Sequence, residues 1–338
     1  MISLNNLTDK SEQRFRSLAF LTIVIIYLLI LAGGIVRGTG SGMGCPDWPK
    51  CFGQWIPPTD ASELPPNYQQ IYGAKLKGEV EFNAVKTWIE YVNRLLGVLS
   101  GLFVFATLVA SFPYLRKDKT VFWGSVAAFL LIGANGWLGS RVVATKLAPY
   151  MITLHLSLAI LVVFALLFVY VRASAPRWQV GLAGQRQRSL RSLLLFTMIL
   201  SLGQILLGTQ VRDALDEVVK RLGYGQRAEW VDNLDWRFYV HRSFSLVVLA
   251  FHIAVILRLR RVSQAGVLSG LALGLVALVI AEIATGAIMG YFSVPAAAQP
   301  IHLLLAILLI GLQFVAWLLT YEFSSSTPAV RRPRLQEV

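Results

Sequence analysis

Two histidines are placed to hold one metal. His241 and His302 each lie about one turn inside the start of an apolar run. If both runs are helices crossing in the same direction, the two rings stand at similar depth. A neutral imidazole is a common ligand for haem iron, and Arg242 sits where it could meet a cofactor carboxylate near the surface. The plainer alternative is that each ring only makes hydrogen bonds between helices. A third histidine, His155, occupies the place in the first half that His302 occupies in the second, but Asn93 stands where His241 would be matched. Asparagine is a poor ligand for haem iron, so this second site is asymmetric: one imidazole, an open or weakly held face, and Glu90 three residues before Asn93 on the same helix face. A carboxylate beside an open metal position could carry acid–base or oxidative chemistry. A Glu90–Arg94 ion pair at i,i+4 that staples the helix mouth fits the same spacing. His252 follows His241 by eleven residues, roughly 16 Å deeper in a helix, and is read as packed or hydrogen-bonded. Glu282 is an intramembrane acid that suggests a proton path or, more simply, a hydrogen bond to a neighbouring helix.

The elements that must position these residues are membrane helices. The chain is 56% hydrophobic and 14% charged, with mean hydropathy +0.61, against about 25% charged for a soluble domain. Eight runs reach membrane-spanning length, over 17–37, 88–112, 121–143, 149–172, 189–211, 237–258, 266–291 and 299–321. The net charge of +13 is unevenly placed. Assigning alternate loops to two sides puts seventeen basic residues against five acids on the side of both termini, which orients the termini to the cytoplasm and excludes nucleic acid as the partner in favour of the bilayer. The expected class is an all-α integral membrane protein of eight transmembrane helices, arranged as two pseudo-symmetric four-helix bundles. A cytoplasmic tail (1–16) precedes the first half (17–172, with a long external loop at 38–87). A linker (173–188) leads to the second half (189–321) and a Ser/Pro/Arg-rich tail (322–338) that is expected to be disordered from Ser324.

A duplication accounts for the halves. Val36-Arg37 closes the first span and Val211-Arg212 the fifth. Asn93-Arg94 opens the second and His241-Arg242 the sixth. The offsets are 148 and 147 residues (241 − 93 and 302 − 155). Arg37 and Arg212 could hold carboxylates of a cofactor or snorkel to headgroups. In the external loop, Gly38, Gly40, Gly42 and Gly44 allow a flexible hinge and close backbone approach. Cys45 and Cys51 follow, a disulfide by default in an oxidising compartment and a redox pair as the sharper reading. Trp48 and Trp55 suit a lid at the membrane surface.

The run from Val36-Arg37-Gly38-Thr39-Gly40-Ser41-Gly42-Met43-Gly44-Cys45-Pro46-Asp47-Trp48-Pro49 to Cys51-Phe52-Gly53-Gln54-Trp55 resembles the haem A synthase family. So do Glu90-Tyr91 with Arg94, Gln204 to Gly208 with Val211-Arg212, and Gln299-Pro300-Ile301-His302-Leu303. The resemblance covers nearly the whole chain. It implies that His241 and His302 hold a haem b cofactor through its iron, and that haem O binds near His155. It implies oxidation of the haem O C8 methyl to the formyl of haem A, with Glu90 as the essential glutamate and Cys45–Cys51 as a disulfide or redox pair. Arg37, Arg94, Arg212 and Arg242 are the expected propionate contacts. The implied setting is a bacterial inner membrane supplying a terminal oxidase, with haem O synthase as donor and self-association left open. The family motif commonly runs Glu-x-x-His-Arg, and here its fourth residue is Asn93. Either His155 alone holds the substrate iron, or Asn93 or water completes the shell. The 212–236 loop also lacks a cysteine pair seen in some members. A haem b electron-transfer or haem-handling protein without the oxidation is the alternative reading.

Overall fold

In the computed structural model, residues 4–73, 81–174, 185–262 and 266–322 are described. The tail beyond 322, including the stretch expected to be disordered, and residues 175–184 of the linker lie outside them. The long helices are α1 (Leu4–Gly38), α3 (Ala84–Ala110), α5 (Lys119–Ala144), α6 (Pro149–Ser174), α7 (Gln185–Leu222), α8 (Trp236–Val262), α9 (Val267–Tyr291) and α10 (Ala298–Glu322). Two short helices, α2 (Tyr68–Tyr72) and α4 (Tyr114–Lys117), lie in connections. All eight long helices contain stretches long and apolar enough to cross a membrane. Among the described residues there is no β-strand. Within a bilayer the helix satisfies every backbone donor internally, and two of the long helices open on a side-chain cap. The Asn83 side chain accepts the Lys86 amide at 3.0 Å and opens α3, and Asp118 accepts the Thr120 amide at 3.1 Å and opens α5.

Helix α1 packs on α3 and α6, α3 on α5, and α5 on α6. Helix α7 packs on α8 and α10, α8 on α9, and α9 on α10. These neighbours are consistent with two four-helix halves. The seam between them runs along α1, α6 and α10, where Ile26, Ile30, Ile160 and Leu166 meet Ile307 and Ile310. Phe164 and Phe314 stack there with centroids 4.4 Å apart. The repeat extends to the turns. Lys146 and Leu147 after α5, and Ser293 and Val294 after α9, are paired non-glycine residues with φ between 52° and 61°, an uncommon conformation at a repeat of 147 residues (293 − 146).

Three boundaries differ from expectation. Helix α1 begins at Leu4, α3 at Ala84, and α7 continues to Leu222 rather than ending at 211. The extension of α7 turns much of the charged 212–236 connection into helix. The loop after α1 is a small folded cap rather than a hinge. Cys45 and Cys51 are joined in a disulfide and bury against Phe52 and Leu64, with Tyr68, Tyr72 and Phe82 around them.

Candidate haem site

Glu90 and Arg94 lie on the first turns of α3, as their spacing predicts, and form the expected i,i+4 ion pair. The pair does more than staple the helix. Arg94 gives Nη1 to the carbonyls of Asp47 (2.7 Å) and Lys50 (3.0 Å) and Nη2 to that of Cys45 (3.1 Å). Its Nε donates to Glu90 Oε1 at 3.1 Å, and Nη2 also reaches that oxygen. All five guanidinium N–H groups are therefore committed. Glu90 Oε2 accepts the Cys45 amide at 2.9 Å, and Thr87 Oγ1 donates to the Gly44 carbonyl at 2.9 Å. Gly44 itself presses on α3: a Cβ there would stand 2.4 Å from the Lys86 carbonyl oxygen, so only glycine fits. The disulfide loop is thus clamped to the mouth of α3 by its own carbonyls. Arg94 has no donor left for a propionate unless it releases one of them.

Glu90, Asn93, Arg94 and His155 line one cavity of about 1730 Å³, mostly apolar, with Trp48 and Trp55 from the loop at its rim. That is larger than a typical small-molecule pocket of about 300–1,000 Å³. Its wall is not confined to the first half. Arg212, Lys220, Tyr224 and Trp230 from α7 and the segment after it contribute, as do Gln299 and Leu303 of α10.

The arginines at the rim are paired. Arg37 meets Asp213 at 3.0 Å and Asp216 at 2.5 Å. Arg212 meets Asp216 at 3.0 Å and donates to the Arg37 carbonyl at 2.9 Å. Neither the carboxylate-holding nor the snorkelling expectation anticipates this brace of α1 to α7, because both acids lie on the unforeseen extension of α7. Asp213 is buried, so removing its charge leaves Arg37 partly desolvated. Asp213→Asn should lower the detergent-solubilised melting temperature, with a cost of about 1–3 kcal/mol for a hydrogen bond to a charged group. A melting temperature equal to wild type would show that the brace adds nothing. Arg242, in contrast, is exposed.

Each of the four predicted ligand positions faces a glycine on the preceding long helix. A Cβ at Gly139 would stand 3.4 Å from His155 Cε1, one at Gly208 3.4 Å from His241 Cε1, one at Gly286 3.5 Å from His302 Cε1, and one at Gly33 3.9 Å from Asn93 Oδ1. The rings lie directly on helix backbone, in notches that larger side chains would fill. The sequence shows these glycines, but only the pairing of helices reveals their role. Glu282 has the partner that was not evident from sequence: its Oε2 is 2.7 Å from His302 Nδ1, with Thr285 Oγ1 at 2.9 Å from the same nitrogen. A carboxylate only accepts, so the proton sits on Nδ1 and Nε2 is left for a metal. His252 is held elsewhere, between the Val248 carbonyl at 2.8 Å and the Gln313 amide at 2.5 Å.

These residues fit a haem. His155 Nδ1 and His241 Nδ1 are buried without a hydrogen-bond partner, as are Asn93 Oδ1 and Asn135 Oδ1, and unpartnered buried polar atoms call for a ligand. The neutral donor set and the apolar wall suit a flat, largely apolar iron macrocycle.

The eight long apolar helices define a class, multi-pass helical membrane proteins. The chain belongs to the COX15-CtaA family of cytochrome oxidase assembly proteins, whose family pattern matches residues 16–314. Among its relatives, the heme A synthase of Shewanella oneidensis is 28% identical over 240 residues, covering 69% of each chain. That of Methylobacterium radiotolerans is 27% identical over 361 aligned residues, covering 97% of this chain and 95% of the relative. That of a strain of Methylorubrum extorquens is 26% identical over 305 residues, covering 80% of this chain and 77% of the relative.

Proposed function

We propose that this protein is a haem A synthase, an oxidoreductase that converts the C8 methyl of haem O to the formyl group of haem A. The observation that carries the reading is the set of three half-buried histidines, each seated on a glycine notch, in a chain whose relatives bear that name. His241 and His302 would hold a resident haem b, and His155 would hold the substrate haem O in the large cavity. A bound haem b would supply electron transfer, and the substrate macrocycle would supply the methyl that is oxidised. The chain's part is to seat and enclose. The disulfide loop closes the wall over the α3 mouth, and the tryptophan rim limits water. Glu90 is held between Arg94 and the Cys45 amide as a fixed carboxylate at that wall, available to accept or stabilise charge near the reacting methyl. The protein sits in the inner membrane with both termini cytoplasmic, and receives haem O from haem O synthase.

Extraction and chromatography of haems from membrane-purified protein, co-expressed with a haem O source, tests the reading. Haem A together with haem B is expected; haem B with unaltered haem O would replace the enzyme with a haem-binding protein. Glu90→Gln keeps an acceptor for the Cys45 amide, so the protein should fold and hold haem. Its haem A yield should fall about 10²–10⁴-fold, the usual span for loss of a general acid or base. Full turnover in this variant would leave Glu90 a purely structural role.

A further inference from the structure

The four notched hairpins are built to one pattern, and one of them departs from it twice. In each, a residue four positions before the glycine lies one turn away on the same helix face. It is Asn135 before Gly139, Gln204 before Gly208 and Glu282 before Gly286. All three are polar and stand beside the histidine hairpin, and one of them bonds the ring nitrogen directly. Glu282 bonds His302 Nδ1 at 2.7 Å. The Gln204 amide donates to the His241 carbonyl at 3.0 Å and stands 3.5 Å from the ring. The Asn135 side-chain oxygen is buried and unpartnered, as is His155 Nδ1. Metal-bound imidazoles need such partners to fix ring orientation and tautomer. In the α1/α3 hairpin the corresponding residue is Leu29, before Gly33, and the facing residue is Asn93 instead of histidine. Ligand and support are absent together, while the notch remains.

Leu29, Gly33 and Asn93 line the same cavity as Asn135, Gly139 and His155. A second cavity, about 690 Å³ and almost wholly apolar, runs between α1 and α3 along Ala32, Ile35, Trp88, Val92 and Leu96, and it too ends on Asn93. Val92 and Ile35 are exposed on the protein's own surface, so this groove opens toward the lipid. Asn93 therefore stands between a membrane-facing apolar passage and the large cavity.

We propose that the α1/α3 corner is an open ligand face. Resting on the functional reading above, the substrate haem is held by His155 alone, and the notch formed by Leu29, Gly33 and Asn93 admits a small neutral diatomic molecule, the class to which dioxygen belongs, through the α1/α3 groove. Leu29 excludes a competing polar ligand. The Asn93 side chain supplies one polar contact without the strength to close the site. The groove serves molecules that dissolve in lipid better than in water. A bis-histidine arrangement, as at His241 and His302, would close this face.

Carbon monoxide is the probe. The full chain, purified with haem O and haem b bound and then reduced, is titrated with CO and read by its difference spectrum. About half of the iron should bind CO, because only one of the two haems has an open face, and His155→Ala should abolish that fraction. The double substitution Leu29→Gln with Asn93→His should lower CO affinity at least about tenfold and shift the haem O signal to six-coordinate low spin, since access and ligands decide what a haem binds. Leu96→Trp, filling the groove, should slow CO association about fivefold or more with little change in equilibrium affinity. Wild-type protein that retains haem O but binds no CO overturns this inference alone. Protein that retains haem b and never haem O overturns the functional reading beneath it.

Discussion

Arg94→Ala should be the most disruptive single substitution near the large cavity. The Glu90 side chain is only 5% exposed, and without Arg94 its charge is buried and unpaired. Breaking a buried pair from one side costs about 3–5 kcal/mol. Here the carbonyls of Cys45, Asp47 and Lys50 lose their donor as well. The expected result is a marked fall in melting temperature, rapid proteolysis within the loop between α1 and α3, and loss of haem O while haem b stays bound. The double variant Glu90→Gln with Arg94→Ala removes both charges and should recover part of the loss, a coupling that a double-mutant cycle isolates. Unchanged melting temperature and loop protection in the single variant would show that the disulfide alone holds the cap.

Glu282→Gln should weaken the haem b proposed at His241 and His302 without emptying its site. The glutamine can still accept the His302 Nδ1 proton but brings no charge. Mutation of the outer partner behind a metal ligand typically costs about 10–100-fold in affinity, and a weakening toward the lower end of that span is expected, since the hydrogen bond is kept and only the charge is removed. The carboxylate makes His302 a stronger donor to iron and favours the oxidised state, so the haem b midpoint potential should rise in the variant. His302→Ala should release haem b entirely. A redox titration of the purified protein gives the direct measurement. A potential and haem content equal to wild type would mean that Thr285 by itself orients the ring.

Much of this architecture is readable from the chain. Apolar runs of bilayer length identify all eight crossings, because lipid leaves no other way to satisfy the backbone. The matched offsets of His155 and His302 pick out two rings that each face a glycine on the preceding long helix. The missed features depend on contacts between distant segments. Asp213, Asp216, Glu217 and Lys220 read as a polar loop, yet they continue α7 after it leaves the apolar layer. Arg37 could not be paired until those acids were placed on a helix. Glu282 lacked a partner because its role shows only when α9 lies on α10, although the 147-residue offset carries it onto Asn135 (282 − 135) beside another histidine. The Glu90–Arg94 pair was visible as a helix staple. The three loop carbonyls that saturate Arg94 were not, since backbone acceptors leave no mark in residue identity.

The brace between α1 and the end of α7 bears on how the protein is made. Arg37 is among the first transmembrane residues to emerge from the ribosome, and its partners Asp213 and Asp216 come some 175 residues later. Lys220, Tyr224 and Trp230, which complete the cavity rim, follow them. A nascent chain that has inserted only α1 to α6 therefore carries an unpaired arginine and an unfinished cavity. Loading of the haem proposed at His155 is then a late event, after translation has passed α7, and a chain truncated at the linker inherits the histidine without a chamber around it.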